Sequence, residues 1–133
     1  MIKIPRYMSE GSNEEYEHGL QESILHGQTT VNPLALVLIL TTECNTNCCY
    51  CPYRKASVVM ERKSIDMSVA LRAIKEFSAL GGRYVRFSGG EPFLYPGLAE
   101  LVDQASEMGL HTTVVTNGLA LRTESIPWLS QLQ

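Results

Sequence analysis

The chain has 133 residues, 44% of them hydrophobic and 19% charged, a globular composition that excludes wholesale disorder. Eleven Lys plus Arg against fourteen Asp plus Glu leave a formal charge of −3, which argues against a nucleic-acid scaffold held by bulk charge. The longest apolar run, residues 34 to 40, is too short to span a membrane, and no secretory signal is expected from the N-terminal sequence.

Residues 1–33 read as an N-terminal extension. Glu10, Glu14, Glu15, Glu17 and Glu22 occur there with no Lys or Arg between them, as in a solvated acidic arm or cap. A short helix over residues 14–25, with Leu20, Ile24 and Leu25 as its apolar side, is the alternative. The apolar run of residues 34–40 opens after Pro33 and closes at Thr41, Thr42 and Glu43. Too short for most helices, it predicts a strand buried on both faces, as in parallel sheets.

All four cysteines follow within eight residues, at Cys44, Cys48, Cys49 and Cys51. A disulfide framework would spread its cysteines to close loops of useful length. Clustered thiols point instead to a reducing cytoplasm and to metal ligands or redox groups. A structural zinc site, a thiol redox pair and free cysteines are the other readings. His18, His26 and His111 show no zinc-finger spacing, and Cys49 reads as a bystander. Arg54, Lys55, Arg62 and Lys63 flank a polar loop that reads as solvated, or as a contact for an acidic substrate or an electron donor.

A helix is predicted from Ser64 or Asp66, with Asp66 or Ser68 as cap. Ala70, Leu71, Ile74, Phe77 and Leu80 recur at helical spacing, and Gly81 and Gly82 end it. Residues 83–88 are the second strand, halted by Gly89, Gly90, Glu91 and Pro92. A second helix is predicted over residues 96–108, with Leu98, Leu101, Val102, Ala105 and Met108 on one face and Gly109 as terminator. Residues 111–116 are the third strand, closed by Asn117 and Gly118, and a further helix begins near Glu124 or Ser125. His111 sits at the N-terminal end of its strand and reads as structural.

Strands alternating with helices imply an α/β fold of three parallel β-α units. In such sheets ligands bind at the C-terminal ends of the strands. The three loops leaving those ends carry the unusual sequences: the cysteine cluster, Gly89-Gly90-Glu91-Pro92 and Thr116-Asn117-Gly118. All three are expected on one rim.

Cys44, Cys48 and Cys51 form a C-x3-C-x2-C pattern with the aromatic Tyr50 before the last cysteine. Together with the Gly-Gly-Glu turn after the second strand and the Thr-Asn-Gly end of the third, this resembles the radical S-adenosylmethionine (SAM) superfamily. The likeness is to the branch containing the molybdenum-cofactor cyclase and the SPASM or twitch peptide-maturing enzymes. The resemblance implies a [4Fe–4S] cluster held by Cys44, Cys48 and Cys51, with one iron left open for the methionine end of SAM. It further implies that Gly89 and Gly90 let backbone approach that ligand, that Glu91 accepts from its ammonium, and that Tyr50 lies near its adenine. Thr116 and Asn117 are the remaining cofactor-site candidates.

The activity so implied is reductive cleavage of SAM to a 5′-deoxyadenosyl radical that abstracts hydrogen from substrate. A reductant such as flavodoxin or ferredoxin is implied as partner, and a peptide is among the consistent substrates. No membrane or nucleic-acid partner is expected. The full fold in this family is a partial (β/α)6 TIM-like barrel, so residues 34–133 are expected to be its N-terminal half, ending before strand four. The alternative is a non-catalytic fragment holding zinc or a cluster without turning over SAM.

Overall fold

Turn residues and hydrophobic period divide the chain where its structure does. The computed structural model describes residues 13–27, 31–51 and 63–122. Two compact units emerge, Met1–Asn32 and Pro33–Gln133.

In the first unit, helix α1 spans Asn13–His26, so the acidic extension carries the helix that was the alternative to an arm. Glu22 Oε2 meets His26 Nε2 at 3.2 Å one turn apart, a pairing favoured at a helix C-terminus. Gly27, at φ 63°, follows the last turn. Leu20, Ile24 and Leu25 are exposed within this unit.

The second unit runs β1 (Ala35–Thr41), α2 (Met67–Ala79), β2 (Tyr84–Gly89), a 3-10 turn (Pro92–Leu94), α3 (Leu98–Glu107) and β3 (His111–Val114). The strands form one parallel sheet in the order β1-β2-β3. Leu38 pairs with Phe87, and Phe87 with Val114, so the apolar positions of the strands line up on one face. Against that face pack Ala70, Ile74 and Phe77 of α2 and Leu98, Leu101, Val102 and Ala105 of α3. Burying each large side chain in this cluster contributes about 1.5–3 kcal/mol.

The opposite face differs from the expectation of a strand buried on both sides. Val37 is 53% and Ile39 43% exposed, because α2 and α3 pack on the other side of the sheet. The residues of β1 alternate in burial until the strand end, where Leu40 and Thr41 are both buried. A bulge causes this: Ile39 pairs with Ser88 and Thr41 with Gly89, leaving Leu40 as the extra residue. Bulges re-aim a strand at its end, and this one directs the chain into the cysteine loop.

Element ends follow local chemistry. Asp66 caps α2, accepting from Ser68 N at 2.8 Å, and its hydrogen bonds to the side chain and backbone of Ser68 hold its carboxyl below the usual value. Gly81, at φ 77°, ends that helix. The second helix starts later than predicted, at Leu98, because Glu91 and Pro92 first form the 3-10 turn. β3 ends at Val114 because Thr116 and Asn117 turn away to hydrogen-bond Glu91. The helix expected from residue 124, and Arg54, Lys55 and Arg62, lie outside the described residues.

Candidate cofactor site at the strand ends

Parallel pairing brings the three C-terminal strand ends to one edge, and hydrogen bonds then join the loops. Gly90 N donates to Thr41 O at 2.7 Å and Glu91 N to Glu43 O at 2.7 Å. The fit is close: a Cβ on Gly90 would lie 2.0 Å from Glu43 O, and one on Gly89 2.4 Å from Thr41 O. Gly89 also has φ 130°, a region few other residues enter. The backbone that these glycines approach is therefore the entry to the cysteine loop, a need additional to the ligand approach expected from the sequence.

The same entry is pinned from its other side. Thr42 N donates to Lys63 O at 2.9 Å, Lys63 N to Thr42 Oγ1 at 3.0 Å and Ile65 N to Leu40 O at 2.8 Å. Thr41 Oγ1 accepts from Glu43 N at 3.1 Å and from Ser64 Oγ at 2.9 Å. The loop that begins at Thr42 thus returns to the end of β1 at residues 63–65.

Glu91 is fully buried at 0% exposure. Its Oε1 accepts from Phe93 N at 3.0 Å and Thr116 Oγ1 at 2.7 Å, and its Oε2 accepts from Asn117 N at 2.9 Å. A buried carboxylate is costly unless its acceptors are filled, and here three donors fill them. Through these bonds Glu91, expected from the sequence to receive a ligand ammonium, ties the loop after β2 to the loop after β3.

Asn117 extends that tie to the cysteine loop. Its Oδ1 accepts from Leu119 N at 2.9 Å, and its Nδ2 donates to Asn45 Oδ1 at 2.8 Å, Thr46 Oγ1 at 3.3 Å and Cys44 Sγ at 3.8 Å. Thr46 Oγ1 stands 3.1 Å from Cys44 Sγ and accepts from Cys48 Sγ at 3.8 Å. Cys51 N donates to Cys48 O at 3.2 Å, closing the turn that holds Cys49 and Tyr50.

All four thiols are free; Cys44 and Cys49 are exposed, Cys48 and Cys51 half-buried. Among the described residues no three His, Cys, Asp or Glu side chains converge as ligands of a single ion would. An iron–sulfur cluster takes one thiolate per iron and so spaces its ligands. Soft thiols on an exposed loop, two of them around Thr46, are the ligand type that iron–sulfur clusters take. Tyr50 is 86% exposed beside Cys51. His111 stacks on Tyr84, ring centroids 5.2 Å apart, at the opposite end of the strands.

The rim thus gathers Cys44, Cys48, Gly90, Glu91, Thr116 and Asn117 in one hydrogen-bonded group. Sequence reasoning passed over Thr41, Asn45 and Thr46, which brace that group. Their only signal is position, inside and just before the cysteine spacing.

The profile of the Radical SAM superfamily matches residues 38–132. The chain is 34% identical over 113 residues to the PqqA peptide cyclase of Rhodopseudomonas palustris, covering 84% of this chain and 29% of the cyclase. It therefore spans less than a third of the length of that curated relative. SuiB of Streptococcus suis bound to S-adenosylmethionine has the same fold, with a TM-score of 0.68 at 20% identity over 90% of this chain and 27% of SuiB. SuiB bound to the precursor peptide SuiA aligns with a TM-score of 0.65 at the same identity and over 90% of this chain and 26% of that one. BtrN in complex with AdoMet and 2-DOIA gives 0.61 at 25% identity, over 76% of this chain and 42% of BtrN.

Proposed function

The chain belongs to the radical SAM superfamily, and from that premise we propose that residues 34–133 form the cluster-holding part of a SAM-cleaving enzyme. Residues 1–33 stand as an extension to it. Cys44, Cys48 and Cys51 hold three irons of a [4Fe–4S] cluster, and Cys49 holds none. The loop of Gly89 and Gly90, packed against Thr41 to Glu43, forms the wall for the methionine end of SAM, and Tyr50 flanks the adenine. Glu91 serves as a brace behind that wall. When bound, the reduced cluster supplies the electron that cleaves SAM to methionine and a 5′-deoxyadenosyl radical, which takes hydrogen from substrate.

The observation that carries this reading is the hydrogen-bonded union of the free-thiol loop with the Gly-Gly-Glu and Thr-Asn-Gly loops. Each loop alone is an ordinary strand-ending turn; joined, they offer soft metal ligands beside backbone that a ligand can approach. The substrate class is a peptide, as the names of PqqA peptide cyclase and of the SuiB complex with its precursor peptide suggest. A flavodoxin or ferredoxin supplies the electron, and the cytoplasm is the compartment in which exposed thiols stay reduced. No helix of the described residues is long and apolar enough to cross a membrane.

Anaerobic reconstitution with iron and sulfide tests the reading. A brown protein with iron and labile sulfide in equal amounts is expected, with reductant-dependent release of 5′-deoxyadenosine from SAM when the remaining strands of the barrel are supplied. Stoichiometric zinc, with no iron or sulfide, would identify a structural metal-binding module instead.

A further inference from the structure

We infer that Asn117 is a positioning residue for the cluster, donating from its side-chain amide to the Cys44 sulfur and so setting the cluster's reduction potential. The inference rests on the function proposed above and adds to it a role for a residue outside the three-cysteine ligand set. Its basis is the orientation of one amide. Oδ1 of Asn117 accepts from Leu119 N at 2.9 Å. That bond assigns the oxygen to one side and leaves Nδ2, with two donors, facing the cysteine loop. There it lies 2.8 Å from Asn45 Oδ1, 3.3 Å from Thr46 Oγ1 and 3.8 Å from Cys44 Sγ. Every group it faces is an acceptor or can act as one.

The backbone beneath is equally fixed. Asn117 N donates to Oε2 of the buried Glu91, and Thr116 Oγ1 donates to Oε1 of the same carboxylate at 2.7 Å. The amide is thus aimed at Cys44 from a platform anchored in the interior. Hydrogen bonds to cluster sulfurs are one of the protein's means of setting potential. A donor at a thiolate stabilises the more negative, reduced state, so it raises the potential. Without it, reduction is harder.

Asn117→Asp and Asn117→Ala together make the test, because the aspartate removes the donor but adds a negative charge that by itself disfavours reduction. The aspartate retains an acceptor for Leu119 N but presents oxygen, without a hydrogen, to Asn45 and Cys44. Redox titration of the reconstituted protein, followed by electron paramagnetic resonance with iron content and circular dichroism, gives the readout. The expected result is wild-type circular dichroism with a reduction equilibrium moved at least tenfold against the reduced state, about 59 mV for one electron. Loss of iron with the fold intact also supports the inference, because Cys44 is then no longer held in place. Iron content and potential both equal to wild type would overturn it. Asn117→Ala, which adds no charge, must move the equilibrium in the same direction; a shift confined to Asn117→Asp, or loss of circular dichroism in both variants, overturns the inference. A wild-type protein that takes up no iron and sulfide sinks the proposed function, and that separates the two failures.

Discussion

Along β2 the chain passes from a segment held by apolar packing to one held by hydrogen bonds. Val85 and Phe87 are buried against α2 and α3 and point into the shared core. Gly89, Gly90 and Glu91, two residues further on, join neighbouring loops through backbone donors and one carboxylate. Apolar packing tolerates a change of shape at the cost of stability. A network of directed donors and acceptors loses its geometry when one member is removed. Stability is therefore invested mainly in the strand bodies, and directed loop geometry mainly in their ends.

The sharpest way to break that comparison is to cut both segments. Phe87→Ala should lower the unfolding free energy by about 3–5 kcal/mol, measured by urea titration, since it empties a fully buried site. Glu91→Ala should cost less, about 2 kcal/mol, because Thr116 and Asn117 are exposed enough for water to replace the lost acceptor. It should nevertheless reduce iron retention far more than its stability loss explains. If Glu91→Ala destabilises the chain as much as Phe87→Ala while leaving iron uptake intact, the division between core and rim fails.

A smaller effect sharpens the picture at the entry to α2. Asp66 has its folded-state pKa lowered by the hydrogen bonds from Ser68. Its stabilising contribution is therefore present above the ordinary value of 3.8 and is lost as pH falls through the lower folded value. Asp66→Asn, which keeps a capping oxygen but cannot titrate, should flatten that acidic part of the stability curve and leave neutral pH nearly unchanged. A curve that keeps its acidic slope in the variant would assign the slope to another group. Asp66→Asn should leave iron binding unchanged, since Asp66 makes its side-chain hydrogen bonds to Ser68.

The strand bodies and helices were legible because their signals are periodic. Ala70, Ile74 and Phe77 on α2, and Leu98, Leu101, Val102 and Ala105 on α3, are the buried positions that the spacing predicts. The three-loop rim was legible too, since parallel strands must end on one side. Two features escaped. The exposure of Val37 and Ile39 escaped because an uninterrupted apolar run looks the same whether one face is covered or both. The inward turn of Glu91 escaped because a carboxylate after Gly-Gly reads equally well as a ligand contact or as a brace. The positions of Thr116 Oγ1 and Asn117 N reveal the brace. Likewise Asn45 and Thr46 look like filler between cysteines until Asn117 is seen to reach them from a loop about seventy residues away.

In the function proposed above, three of four neighbouring thiols hold one cluster while the fourth does not. Iron and sulfide content of the anaerobically reconstituted protein, compared between Cys48→Ala and Cys49→Ala, tests it most directly. Loss of the cluster in Cys48→Ala with wild-type content in Cys49→Ala is the predicted result. Retention in Cys48→Ala with loss in Cys49→Ala would contradict the ligand assignment and the site built around it.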